Sequence, residues 1–266
     1  MIPVDAAISR FRRDLTIGTV LNGLLIFTAS ASLLTVLVAG GSAGAAILML
    51  AVGLLWMFLS YRSIQGSRLT ADSPLLIATG RFDEAENRID AALRSFSLFR
   101  TVKLISLHHL ALLRHAQRRW QESARLCQAL LAQRMGALQG LSKPNTLLLA
   151  DNLMHMGDLP GVYQALSRLY QQRLNLSEAL TMEQLQVEYL ARIGAWDHLL
   201  ANVGAKIQLA ELMPSTQAAR TQAYLALAAL KSGRSALSNW LRRRAELLVD
   251  PPDLTANRPL LGELWP

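Results

Sequence analysis

The chain is 266 residues long and carries a net charge of +8, with 52% hydrophobic and 17% charged residues. That apolar content excludes a wholly disordered polymer, and the length is enough for a packed core without metals or crosslinks. One cysteine, Cys127, excludes an intramolecular disulfide framework and is compatible with a reducing compartment.

Residues 1–14 form a short amphipathic lead in which Ile8 and Phe11 sit beside Arg10, Arg12 and Arg13. The expected place for it is the headgroup interface, where arginine stems stay in apolar surroundings and their charged ends reach water. The next 47 residues, Leu15 to Tyr61, contain no Asp, Glu, Lys, Arg or His. Gly40, Gly41, Ser42 and Gly44 divide this stretch into two apolar runs, each near the ~20 residues that cross a bilayer as a helix. A transmembrane helical hairpin over 15–61 follows, because only a helix satisfies its own backbone in lipid. Gly18, Gly23 and the patch Ala29, Ser30, Ala31 and Ser32 favour close helix approach, while Asn22 adds one amide able to bond across the pair. A signal peptide ending near Ala31 is the competing reading, weakened by the apolar run that continues through the cleavage point.

Arg10, Arg12 and Arg13 precede the hairpin, Arg62 and Arg68 follow it, and its turn is uncharged. The asymmetry implies that both ends, and with them the soluble remainder, face the cytoplasm; the simplicity of the topology makes a multi-pass protein of a bacterial-type cell inner membrane the expectation. With Trp56 and Tyr61, these five arginines are the expected membrane-interface residues. Residues 62–73 read as a juxtamembrane connector, and Pro74 is suited to open the next helix.

From 74 onward, Leu/Ala-rich segments with helical periodicity succeed one another and no alternating strand pattern occurs. The whole chain is therefore all-α. Breaks recur at ATGRFDEA, AQRRWQES, HMGDLPGV, RIGAWDHL and KSGRSALS. Taking Phe82, Trp120, Leu159, Trp196 and Ser235 as equivalent, they lie 38, 39, 37 and 39 residues apart. Such spacing indicates repeated helical hairpins, in units near 74–96, 99–135, 143–173, 177–211 and 214–248, with boundaries at Gly136 to Pro144 and Met213-Pro214.

GRFDEAENRIDAAL, residues 80–93, resembles the tetratricopeptide repeat family at Gly80, Phe82, Ala85, Ile89 and Ala92. Looser matches surround Trp120, Leu159 and Trp196, and the weakest lies at Gly233, where Ser235 replaces the aromatic. The resemblance covers about residues 74–248 and implies a divergent tetratricopeptide-like α-solenoid, although its period exceeds the family's usual one. Residues 249–266, with Pro251, Pro252, Pro259 and Pro266, read as an extended tail whose Leu260, Leu261, Leu264 and Trp265 are more suited to capping the repeats than to binding a partner.

The resemblance also implies a protein-binding groove lined by the first helix of each pair. Carried onto this chain, its positions are Ile105, His108, Leu112 and His115, then Leu147, Asp151, Met154 and His155. Gln184, Glu188, Ala191 and Arg192 follow, then Arg220, Ala223, Leu227 and Lys231. The set is mixed apolar and polar and lacks the family's Lys/Asn-rich carboxylate clamp.

No residue set marks catalysis, a cofactor or a metal. The histidines lack a regular ligand spacing, Cys127 occupies a packing position without a base, and no phosphate-binding glycine fingerprint occurs. Basic clusters at Arg114, Arg118 and Arg119 and at Arg242, Arg243 and Arg244 are compatible with anionic lipid, and their separation argues against a continuous nucleic-acid surface. The expected function is a non-enzymatic, membrane-anchored protein interaction scaffold or assembly factor, without a small-molecule substrate, whose partner is a protein or membrane protein complex. An accessory subunit of an envelope export or secretion complex, contacting its membrane component through the hairpin, is the alternative.

Overall fold

A computed structural model describes residues 3–38, 43–97, 99–133, 139–256 and 258–265. Among them all regular structure is helical, and the chain divides into two compact units, Met1–Asn145 and Thr146–Pro266. The expected hairpin turn at Gly40 to Ser42 and the first three residues of the expected boundary from Gly136 lie outside the described residues; the remainder of that boundary, 139–144, is helical instead of a break.

In the first unit, α1 (Val4–Val38) and α2 (Ala43–Ala71) are long and apolar enough to cross a membrane. At 1.5 Å per residue they reach about 52 and 43 Å, more than the ~30 Å of hydrocarbon in a bilayer. Their surplus length is packed into protein. Val4, Ala7, Phe11 and Leu15, at helical spacing, are buried as α1 contacts α4 (Phe82–Arg94), α5 (Arg100–Ala116) and α6 (Trp120–Leu131). Residues 4–14 are thus the opening turns of α1 rather than a separate interfacial segment, because Phe11 and its neighbours find an apolar seat on these helices. Residues 62–71 likewise continue α2 instead of forming a connector. There Ser63, Gly66 and Thr70 face inward, and a Cβ at Gly66 would come within 2.8 Å of Ser95 Oγ. The change of direction comes at Asp72, where Pro74 in the first turn of α3 (Ser73–Ala78) disfavours continuation of the preceding helix.

Beyond this base the hairpin exposes Ile26, Phe27, Leu34, Ile47, Leu50, Leu54 and Phe58, with Phe27 75% exposed. So broad an apolar surface is consistent with membrane anchoring. Where α1 leaves the protein core, Lys103 of α5, only 1% exposed, is held by four oxygens. Its Nζ donates to the carbonyls of Ala92, Leu93 and Ser95 at 3.3, 2.6 and 2.5 Å and pairs with Asp14 Oδ2 at 2.9 Å. The amine therefore caps the last turn of α4 and fixes α1 one residue before its uncharged run begins. Burial lowers the lysine pKa, and the Asp14 carboxylate opposes that effect.

Helix α7 (Gln139–Met156) carries the boundary between the units and contains Pro144 in its interior. Pro144 has no N–H to give the preceding turn, and the Asn145 side chain donates to the Leu141 carbonyl at 2.8 Å. The second unit continues with α8 (Leu159–Tyr170), α9 (Leu176–Arg192), α10 (Trp196–Leu200) and α11 (Val203–Glu211), then α12 (Ser215–Lys231) and α13 (Ser235–Leu248). Its centre is α12, buried continuously from Ala218 to Ala229 except for half-buried Arg220. Alanines at 219, 223, 226, 228 and 229 leave room for α9, α10, α11 and α13 to approach from different sides.

One backbone turn recurs at five of the expected breaks. Gly80, Arg118, Gly157, Gly194 and Gly233 take φ of 77°, 60°, 76°, 72° and 72°. In each case the next residue's N–H returns to a carbonyl five positions back, as in Arg81 to Leu76, Asp158 to Leu153 and Arg234 to Ala229, at 2.9, 3.0 and 2.8 Å. This pattern satisfies helix-terminal carbonyls with a left-handed residue at the corner. The expected single helix after Trp196 is instead broken. Asn202 at φ 55° separates α10 from α11, and Lys206 Nζ donates to the carbonyls of His198 and Leu199 left open by the break, at 2.7 and 2.9 Å.

The tail is not extended. It forms α14 (Pro251–Thr255) and a 3-10 turn (Pro259–Leu264). Leu254, Leu261 and Leu264 are buried in the core around α12, with Leu260 and Trp265 packed at its margin. Trp265 Nε1 donates to Glu246 Oε1 at 2.7 Å, and Arg242 Nη1 donates to the Leu264 carbonyl at 3.3 Å.

Candidate functional site

The groove positions of the first unit fall into separate surroundings. His108 is buried, and its Nδ1 lies 3.0 Å from Asn145 Oδ1, so the ring donates there while burial lowers its pKa. The His115 ring meets Trp120 edge-on with centroids 4.9 Å apart, which makes it a packing partner of the turn. Leu112 and Ile105 are half-buried.

The neighbouring arginines do not form one basic patch. Arg114 is fully buried, with Nη2 and Nη1 at 2.9 and 3.3 Å from the two oxygens of Glu86 and Nη1 at 2.7 Å from Gln117 Oε1. Its Nε lies 3.3 Å from Glu122 Oε2, so one guanidinium joins α4, α5 and α6. Arg119 pairs with the same Glu122, and Arg118 occupies the left-handed corner. Cys127 is buried beside Ser123, and burial pushes its thiol up to about 12, which leaves it protonated and unreactive at neutral pH.

A denser constellation forms in the second unit. Glu188 of α9 receives Arg192 Nη2 at 2.7 Å through one oxygen and faces Arg258 Nε at 3.7 Å through the other. Arg192 Nη1 also donates to the Met154 carbonyl at 2.6 Å, tying the end of α9 to α7. Asp151 and His155, one turn apart on α7, approach to 3.6 Å. Tyr224 of α12 is buried beside them. Burial raises its phenol pKa first and Glu188 raises it further, while Arg258 and Arg192 oppose. Arg220 is lowered, chiefly by burial and then by Arg258, with Asp151 and Glu188 opposing.

His155, Arg192, Tyr224, Arg258, Pro259 and Leu260 enclose a cavity of about 310 Å³. Its wall thus combines α7, α9 and α12 with the C-terminal 3-10 turn. The arrangement offers guanidinium, phenol and imidazole hydrogen-bonding groups around one cavity.

Of the residues expected to face a groove here, Asp151, His155, Glu188 and Arg192 come together. Leu147, Met154, Ala191, Ala223 and Leu227 are packed in the interior, Gln184 is buried, and Lys231 is exposed and pairs with Glu263. Tyr224 and Arg258 escaped the sequence reading. Arg258 was hidden because the proline-rich tail masked the spacing of Leu261, Leu264 and Trp265, which could have signalled a folded-back segment.

The residues expected at the membrane interface lie on α1 and α2. Arg10 pairs with Asp90 at 3.7 Å and Arg13 with Asp14 at 3.7 Å, while Arg12, Trp56, Tyr61, Arg62 and Arg68 are exposed. Arg62 lies over the Phe58 ring at 5.9 Å. Among the described residues no group of three or more His, Cys, Asp or Glu could hold a metal ion. Comparison of the chain with protein-family models, curated proteins and solved structures gives no match.

Proposed function

We propose that this chain is a membrane-anchored, non-enzymatic interaction scaffold or assembly factor. In this reading α1 and α2 span a bacterial-type inner membrane, both ends are cytoplasmic, and the remaining helices form a divergent tetratricopeptide-like array that selects a protein partner. The observation that carries the reading is the continuity of the apolar hairpin with the helical core. Phe11 and Leu15 are buried, and Asp14 is ion-paired to Lys103, where α1 begins its uncharged run. Such a base holds a recognition domain at the bilayer instead of tethering it loosely, which raises its local concentration near membrane partners. The recurring left-handed turns at 38, 39, 37 and 39 residues support the repeat reading. The cavity around His155, Arg192 and Tyr224 supplies a polar recognition centre with an apolar margin at Leu260.

Proximity crosslinking in native membranes tests this function. Leu112→Glu and Leu260→Glu, each at a half-buried position, should separately weaken capture of a specific protein while the chain stays folded. Unchanged capture by both folded variants would contradict recognition through these surfaces. Retention of an integral-membrane partner after deletion of residues 74–266 would instead support the accessory-subunit reading.

A further inference from the structure

Two cavities of the first unit share Asn22 and Phe99 in their linings and lie next to one another along α1. The smaller, about 230 Å³, is polar at its mouth, with Asp14, Thr101, Arg100 and Lys103 around it. The larger, about 560 Å³, lies between α1 and α2 and is lined by apolar groups including Leu25, Ala29, Met49, Gly53 and Trp56. Asp14, Gly18, Asn22, Leu25 and Ala29 follow helical spacing and supply one wall. That stripe extends about 22 Å along the axis, longer than the ~15 Å of hydrocarbon in one leaflet.

The two ends differ in chemistry. At the polar mouth Lys103 is already engaged by Asp14 and three carbonyls. Arg100 is not similarly neutralised. Its Nη2 reaches Gln133 Oε1 at 3.4 Å, its buried Nε has no hydrogen-bond partner, and it forms no ion pair among the described residues. At the other end Gly53 faces open space, since an added Cβ would meet nothing within 4 Å. An apolar helix would fill the lower part but leave the guanidinium unmatched, and a soluble anion would leave the apolar part empty. We infer that the adjacent cavities are a binding site for one anionic phospholipid, its phosphate at Arg100 and an acyl chain between α1 and α2. The inference rests on the membrane reading of these helices but not on the recognition role of the second unit.

Trp56 lines the apolar part and supplies the probe. The full chain is reconstituted in phosphatidylcholine vesicles containing either brominated phosphatidylglycerol or brominated phosphatidylcholine, and the signal is assigned by subtraction of a Trp56→Phe variant. One arginine near a membrane surface predicts about five-fold stronger apparent binding of the anionic lipid at Trp56. Arg100→Gln should abolish that preference, and Gly53→Phe, which fills open space, should abolish it by a different route. Equal quenching by both lipids in the unaltered chain, or a preference that survives both substitutions, overturns the site. Absence of quenching by either lipid while the chain resists an alkaline carbonate wash means that a protein helix fills the groove, and this also overturns it. Absence of quenching with release of the chain by that wash removes the membrane reading as well.

Discussion

Arg118 occupies, at φ 60°, the left-handed corner that glycine occupies at 80, 157, 194 and 233. A side chain there costs roughly 1 kcal/mol in backbone conformation, and glycine avoids that cost. Arg118→Gly should therefore raise stability by up to about 1 kcal/mol in chemical denaturation, partly offset by the entropy that glycine adds to the unfolded chain. Gly157→Ala should lower it by about 1 kcal/mol through φ alone, because nothing lies within 4 Å of the added Cβ. His109 gives a pH dependence. Burial, reinforced by neighbouring His108, lowers its pKa to about 4 against a hydrogen bond to the Thr70 backbone. Between about pH 6.5 and about 4 the unfolded chain binds a proton that the folded imidazole refuses, so stability falls on acidification through this window and levels off below it. That window caps the expected loss at about 3 kcal/mol, read from thermal midpoints of the full chain in detergent, and His109→Gln should flatten the slope. The turn glycines were legible because their chemistry is local. The partners of Lys103, Arg114 and Arg258 were not, since each arises from residues brought together only by packing.

Individual helices show the same division between local and distant causes. The breaks after Ala78, Ala116, Met156, Arg192 and Lys231 follow from turn residues close in sequence. The inward extension of α1 depends on where Phe11 lands, and the split between α10 and α11 depends on one left-handed asparagine, so neither is encoded by periodicity alone. Arg114 binds three of these elements together. Arg114→Ala should cost about 3–5 kcal/mol, because Glu86 and Glu122 would lose the buried guanidinium they share, and a titration in denaturant checks it. The tail makes an equally definite contribution. Leu261 is fully buried against the core around α12, and Leu261→Ala should cost about 2–5 kcal/mol if the 3-10 turn is the structural cap seen here. A negligible change would mean that the tail is dispensable to that core.

The all-helical character of the described residues and the two long apolar helices of the first unit were both readable from composition and period. The expected groove rested on side chains whose surroundings are set by packing. Of the positions expected to line it, Asp151 approaches His155 and Glu188 pairs with Arg192, while the apolar Leu147, Met154 and Leu227 are consumed by packing that periodicity does not reveal. The proposed scaffold role depends most on α1 and α2 being embedded in lipid, since their exposed Phe27, Leu50 and Phe58 would otherwise face water. Alkaline carbonate extraction of native membranes containing the full chain tests this directly. The chain should remain in the membrane pellet; its recovery in the soluble fraction would contradict the anchor and the scaffold role built on it.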